Sequence, residues 1–175
     1  MATTWPKTAM RAVMPSNSYL SLVERRVPEA ASQTFAIGSL LTLSTGLYAV
    51  WASGDLSAIS CQAGQNTTGA FTNVYLITQG VELEANFLGS AAADNVLAAA
   101  DHSTAFDVAV SATLLGTGKP GFYIQDSTSA TKVRIIFGAE GTPFGPQAIE
   151  SYVAVGDTNA IVRGIPLISA LHWFD

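Results

Sequence analysis

Val81, Glu82, Leu83, Glu84, Ala85, Asn86 and Phe87 alternate apolar and polar side chains without a break, and variants of this period-two pattern recur from Phe35 onward. Successive side chains of a strand point to opposite faces, so the period reads as half-buried strands. Residues 38–43 and 47–51 flank Ser44-Thr45-Gly46 and read as a hairpin closed by a glycine turn. Further strands are expected at 56–61, 74–78, 81–87, 106–111, 122–125, 132–137, 152–155 and 161–164, with turn-rich loops at 62–72 and 138–146. Only 95–100 reads as helix, with Asp94 as its N-cap. On this pattern Glu82 and Glu84 share one face of a strand and read as a solvated edge.

The first thirty residues differ. Pro6, Pro15 and Pro28 separate short apolar pieces, 10–14 and 19–23, which reads as an extended arm ahead of an all-β domain over 31–175. Its candidate contacts with a neighbour are Trp5, Lys7, Arg11, Tyr19, Arg25 and Arg26, and removal of residues 1–28 is then expected to leave a folded domain. The alternative is that the same residues wrap their own barrel as edge strands. At the other end, 167–174 is apolar on both faces and must be covered by the domain itself or by another subunit, which makes Leu171, Trp173 and Phe174 subunit-interface candidates.

Charge sharpens this division. Lys7, Arg11, Arg25 and Arg26 against Glu24 give residues 1–28 a net +3, whereas the rest of the chain carries −8, for a total of −5. An acidic body repels phosphate backbones, so nucleic acid is not an expected partner. Only 12% of residues are charged and 49% are hydrophobic, which leaves a weakly polar Ser, Thr, Ala and Gly surface suited to permanent partners. The apolar runs are too short for a membrane helix, and the first residues lack the pattern of a secretory signal, so synthesis in a cytoplasm is expected.

Candidate chemistry is sparse. Cys61 is the one cysteine, and as a nucleophile it would need His102 or His172 beside it; small and buried is the plainer reading. Neither histidine has the ligand spacing of a metal site, and no cofactor is expected. Gly116-Thr117-Gly118-Lys119-Pro120-Gly121 lacks the Ser or Thr after lysine that a phosphate loop requires, and reads as a hairpin or barrel-corner loop.

Four segments, "AASQTFAIGSLLTLSTGLYAVWASGDLSAISCQAGQNTTG", "VYLITQGVELEANFLGSAAADNVLAAADHSTAFDVAV", "GFYIQDSTSATKVRIIF" and "GDTNAIVRGIPLI", resemble the head decoration, or cement, proteins of tailed bacteriophages. The likeness runs over about 35–168 and includes an early G-x-L-L-x-L strand, here Gly38 to Leu43. It implies a small β-barrel or β-tulip, a homotrimer on the capsid exterior that holds neighbouring major capsid protein subunits together, and no catalytic residue. The arm is then expected either on the capsid or around its own trimer. Two rival functions remain: a carbohydrate-binding or tail-associated β-domain of a virion, with Tyr48 and Trp51 as a sugar platform, and a hydrolase using Cys61 or Glu82 and Glu84.

Overall fold

The computed structural model describes residues 10–14, 21–89, 98–101, 103–111, 121–126, 131–136 and 161–171. Within them the chain forms β1 (Arg11–Val13), β2 (Glu24–Pro28), β3 (Leu40–Ser44), β4 (Leu47–Val50), β5 (Ala58–Ser60), β6 (Phe71–Leu76), β7 (Glu82–Gly89), β8 (Ala105–Val110), β9 (Phe122–Asp126), β10 (Val133–Ile136) and β11 (Ile161–Pro166). The fold is all-β. Described helical content is limited to two three-residue 3-10 turns, Ala99–Asp101 and Ile168–Ala170. The first falls at the end of the expected helix, and there the Asp101 carboxylate accepts the Ala98 N–H at 2.7 Å. Residues 94–97 lie outside the described residues.

Two sheets build the molecule. One has the order β1-β7-β11-β10-β8-β9, and a further parallel pairing of β9 with β7 closes the last five strands into a barrel. The other is antiparallel, with the order β2-β6-β5-β3-β4. Its β3–β4 hairpin pairs Ser44 with Leu47 across the two-residue turn Thr45-Gly46, both at positive φ (51° and 78°). That geometry follows the right-handed strand twist, and glycine supplies half of it without strain. β6 begins at Phe71, so three residues expected in the 62–72 loop or just after it belong to the sheet.

β7 organises the barrel. Its inward side chains Leu83, Ala85 and Phe87 join Phe106, Val108, Phe122, Ile124, Val133, Ile135 and Val162 in one core, with Phe87 edge-on to Phe106 at 5.1 Å. Leu40, Trp51, Leu56, Ile59 and Ile77 of the second sheet and its connections enter the same core, and Trp51 meets Phe122 edge-on at 6.4 Å. The far face of the second sheet covers a smaller core of Val27, Phe35, Leu41, Tyr48, Ala58 and Val74.

The arm segments that the structure describes are strands on the chain's own sheets. β1 pairs antiparallel with β7 and β2 with β6, and Met10, Ala12 and Val27 are core residues. Removing 1–28 therefore takes two strands and three core side chains away. Leu171, expected at a subunit interface, is also in the chain's own core, where it forms a parallel bridge to Leu56. The Leu56 N–H donates to the Ala170 carbonyl at 2.7 Å, so the 3-10 turn ending at Ala170 lays Leu171 on its own chain. Trp173 and Phe174 lie outside the described residues.

Candidate interaction surface

The expected solvated edge at Glu82 and Glu84 is absent. All eight residues of β7 are buried: Leu83, Ala85 and Phe87 face the core, and the outward Glu82 and Glu84 are engaged by arginines of the flanking strands β1 and β11. Register places Arg11 and Arg163 on either side of Glu84. Arg11 Nε donates to Glu84 Oε1 at 2.7 Å, Arg163 Nε donates to Glu84 Oε2 at 3.1 Å, and Arg163 Nη1 lies 3.6 Å from Glu82 Oε2. Burial pushes the Glu82 carboxyl up, Arg163 draws it back, and the neighbouring Glu84 adds to the rise. Two carboxylates tied to two guanidiniums have no open arrangement for acid and base roles on a glycosidic bond. Arg11, expected to reach a neighbour, is engaged within the chain, although its side chain remains 56% exposed.

Arg25 and Arg26 are presented outward. β2 is the outer strand of its sheet, closed at its C-terminal end by a parallel bridge from Glu29 to Tyr48 of β4, and its Glu24, Arg25 and Arg26 are exposed while Val27 points into the smaller core. Charged side chains on such an edge discourage indiscriminate strand pairing while leaving contact points for a specific partner. The Arg26 guanidinium lies 5.1 Å from the ring centre of Phe71, which is itself 48% exposed. Val23, just ahead of β2, is 45% exposed. At that end of β2 a cavity of about 270 Å³ is lined by Met14, Val23, Arg25, Leu76 and Val81 together with Ser21, Thr78 and Gln79, whereas Phe71 lies at the far end of the β2–β6 pair. Arginine and aromatic side chains are the types enriched at interface hot spots. Phe71 and Val23 gave no signal in the chain's pattern, since strand alternation alone does not say which apolar side chain is left uncovered.

Other candidates are placed differently. Tyr48 and Trp51, the proposed sugar platform, are both buried; Trp51 Nε1 donates to the Gly54 carbonyl at 3.2 Å and Tyr48 sits in the smaller core. Cys61 is half-buried, and burial first, then the charge of Glu24, push its thiol up, away from the thiolate that a nucleophile requires. Among the described residues no group of three or more His, Cys, Asp and Glu is gathered as a metal site, and no helix is long and apolar enough to cross a membrane. The segment 112–120 connects the antiparallel pair β8 and β9, whose ladder is extended by the Ser111 N–H donating to the Gly121 carbonyl at 2.9 Å. Trp5, Lys7, Tyr19, His102 and His172 lie outside the described residues.

Searches against protein-family models, curated proteins and solved structures find no match to this chain.

Proposed function

We propose that this chain is a non-enzymatic structural protein of a tailed-phage virion: it attaches as a homotrimer to the capsid exterior and cements neighbouring major capsid protein subunits. The observation that carries this reading is β2, which, with Val23 just ahead of it, presents Arg25 at an apolar hollow at one end and Arg26 over the exposed Phe71 toward the other, on a chain that is net acidic after residue 28. A rigid barrel with one basic, apolar edge is suited to adhesion. Many copies on one lattice add their weak contacts, so a modest patch suffices for stable decoration. The burial of Tyr48 and Trp51 favours this reading over a sugar platform on their hairpin.

The test is a paired charge reversal, Arg25→Glu with Arg26→Glu, at two exposed positions whose side chains are outside both cores. Purified chain is incubated with expanded, undecorated heads assembled from the major capsid protein encoded with it, and binding is read by co-sedimentation. The unaltered chain is expected to bind saturably and raise the temperature at which heads rupture, and the reversed chain to fold normally but bind at least tenfold more weakly. Failure of the unaltered chain to sediment with heads overturns the proposal.

A further inference from the structure

β7 offers one of its edges to two different strands. β9 runs parallel along Phe87, Leu88 and Gly89, and β1 runs antiparallel along Glu82, Leu83 and Glu84. β1 thus fills the stretch of barrel seam that β9 does not reach. With β1 gone, the backbone edge of three β7 residues, the slots that bury Met10 and Ala12, and one side of the Glu84 carboxylate would all be open. The vacancy has a defined shape: an antiparallel strand with a long apolar residue ahead of an arginine and a small residue after it.

Several features make β1 separable from its own body. It is three residues long, pairs with β7 alone, and is outermost in the sheet order. One ion pair, from a half-exposed arginine, ties its outer face. Residues 14–23 join it to β2, and when extended they reach roughly 30 Å, about the width of a small domain. Pro15 biases Met14 toward extended backbone. At the described ends of this connection Met14, Ser21 and Val23 line the cavity, while Met14 and Leu22 also rest against the core from its rim.

We propose that β1 is an exchanged strand between copies: β1 of one chain docks on the β7 seam of the next, with Arg11 of the first on Glu84 of the second. The contacts are the same as in the self-paired chain, so local concentration decides which arrangement prevails. This rests on the β1–β7 geometry and is independent of capsid attachment, because it is tested with the purified chain alone.

Two charge-reversed chains provide the test, Arg11→Glu and Glu84→Arg. Each alone sets like charges at its own seam, whereas exchange in a mixture restores opposite charges at both seams. Mixed at high concentration, they are expected to give an oligomer containing both chains in native mass spectrometry, at least tenfold more abundant than the self-association of either alone. A second pair keeps the question decidable should Glu84→Arg not fold. In a Cys61→Ser background, Val13→Cys and Glu82→Cys are opposite in register, within the range a disulfide spans. Carried on one dilute chain, the two cysteines are expected to close within it; carried on separate chains and oxidised together, they are expected to give a mixed disulfide dimer. Closure within the single chain, with no more mixed dimer than a mismatched pair such as Val13→Cys and Ala49→Cys gives, would overturn strand exchange.

Discussion

The barrel and the second sheet both bury carboxylates, and they treat them differently. On β7, Glu84 receives a guanidinium from each flanking strand and Glu82 shares one of them. In the second sheet, Glu29 is fully buried, with Oε2 accepting the Gln65 N–H at 2.8 Å, while Oε1 has no partner among the described residues. Thr72 Oγ1, on the strand beside it, is likewise buried without one. The serines of this sheet are better served: Ser57 Oγ accepts the Leu43 N–H at 2.9 Å, and Ser60 Oγ accepts from Ser39 N and donates to the Ala36 carbonyl. Buried polar groups are tolerated in proportion to the partners they find, so the barrel's ion cluster is locked to its fold and the Glu29 carboxyl serves chiefly to pin the 62–70 loop.

That difference can be attacked by substitution. The largest loss is expected from Phe87→Ala in the shared core, about 4 kcal/mol, read by urea denaturation; a value under about 1 kcal/mol would mean the barrel is not the stabilising unit. Gly164→Ala should come next, since a methyl group there overlaps Val133 Cγ1 and crowds the Arg134 carbonyl, with a cost of about 3 kcal/mol in the same assay. Arg163→Met strands two buried carboxylates with a single half-exposed partner and is expected to cost about 3 kcal/mol, whereas Arg11→Ala, at the exposed side of the cluster, should cost about 1 kcal/mol or less. Equal losses for the two arginines would contradict the asymmetry of the cluster. Glu29→Gln keeps an acceptor for the Gln65 N–H and should change stability by less than about 1 kcal/mol.

The smallest effect is one of pH. Burial raises the Glu82 carboxyl above its unfolded value, so between the two values the folded chain binds more protons than the unfolded one. By linkage this group's contribution to stability is greatest in acid and declines as pH rises through that window, opposite to an ordinary salt-bridged carboxylate. Glu82→Gln should therefore flatten the dependence of melting temperature on pH just above the usual carboxylate range. An unchanged slope would show that the carboxyl is as well solvated folded as unfolded.

Much of the barrel was legible in the chain. The 81–87 alternation corresponds to β7, Thr45-Gly46 to the hairpin turn, and the apolar positions 106, 108, 133 and 135 to inward-facing core. The candidate site was legible only in part. Arg25 and Arg26, read as part of an extended arm, are exposed on a strand of the chain's own sheet, Arg11 turned to Glu84, 73 positions away, and Arg163 reached the same carboxylate from 79 positions on the other side. Tyr48 and Trp51 carry no local sign of being covered; Trp51 is covered because the barrel packs over its side of the hairpin.

Period-two alternation, glycine turns and the placement of charge determined by themselves that this chain is a set of short strands with a basic beginning and an acidic remainder, because those signals act within a few residues. Which polar face meets water, and whether the first strands reach outward or lie on their own sheets, was decided only when β7 gained neighbours on both edges: burial and ion pairing depend on strands distant in sequence, and no local pattern encodes their arrival.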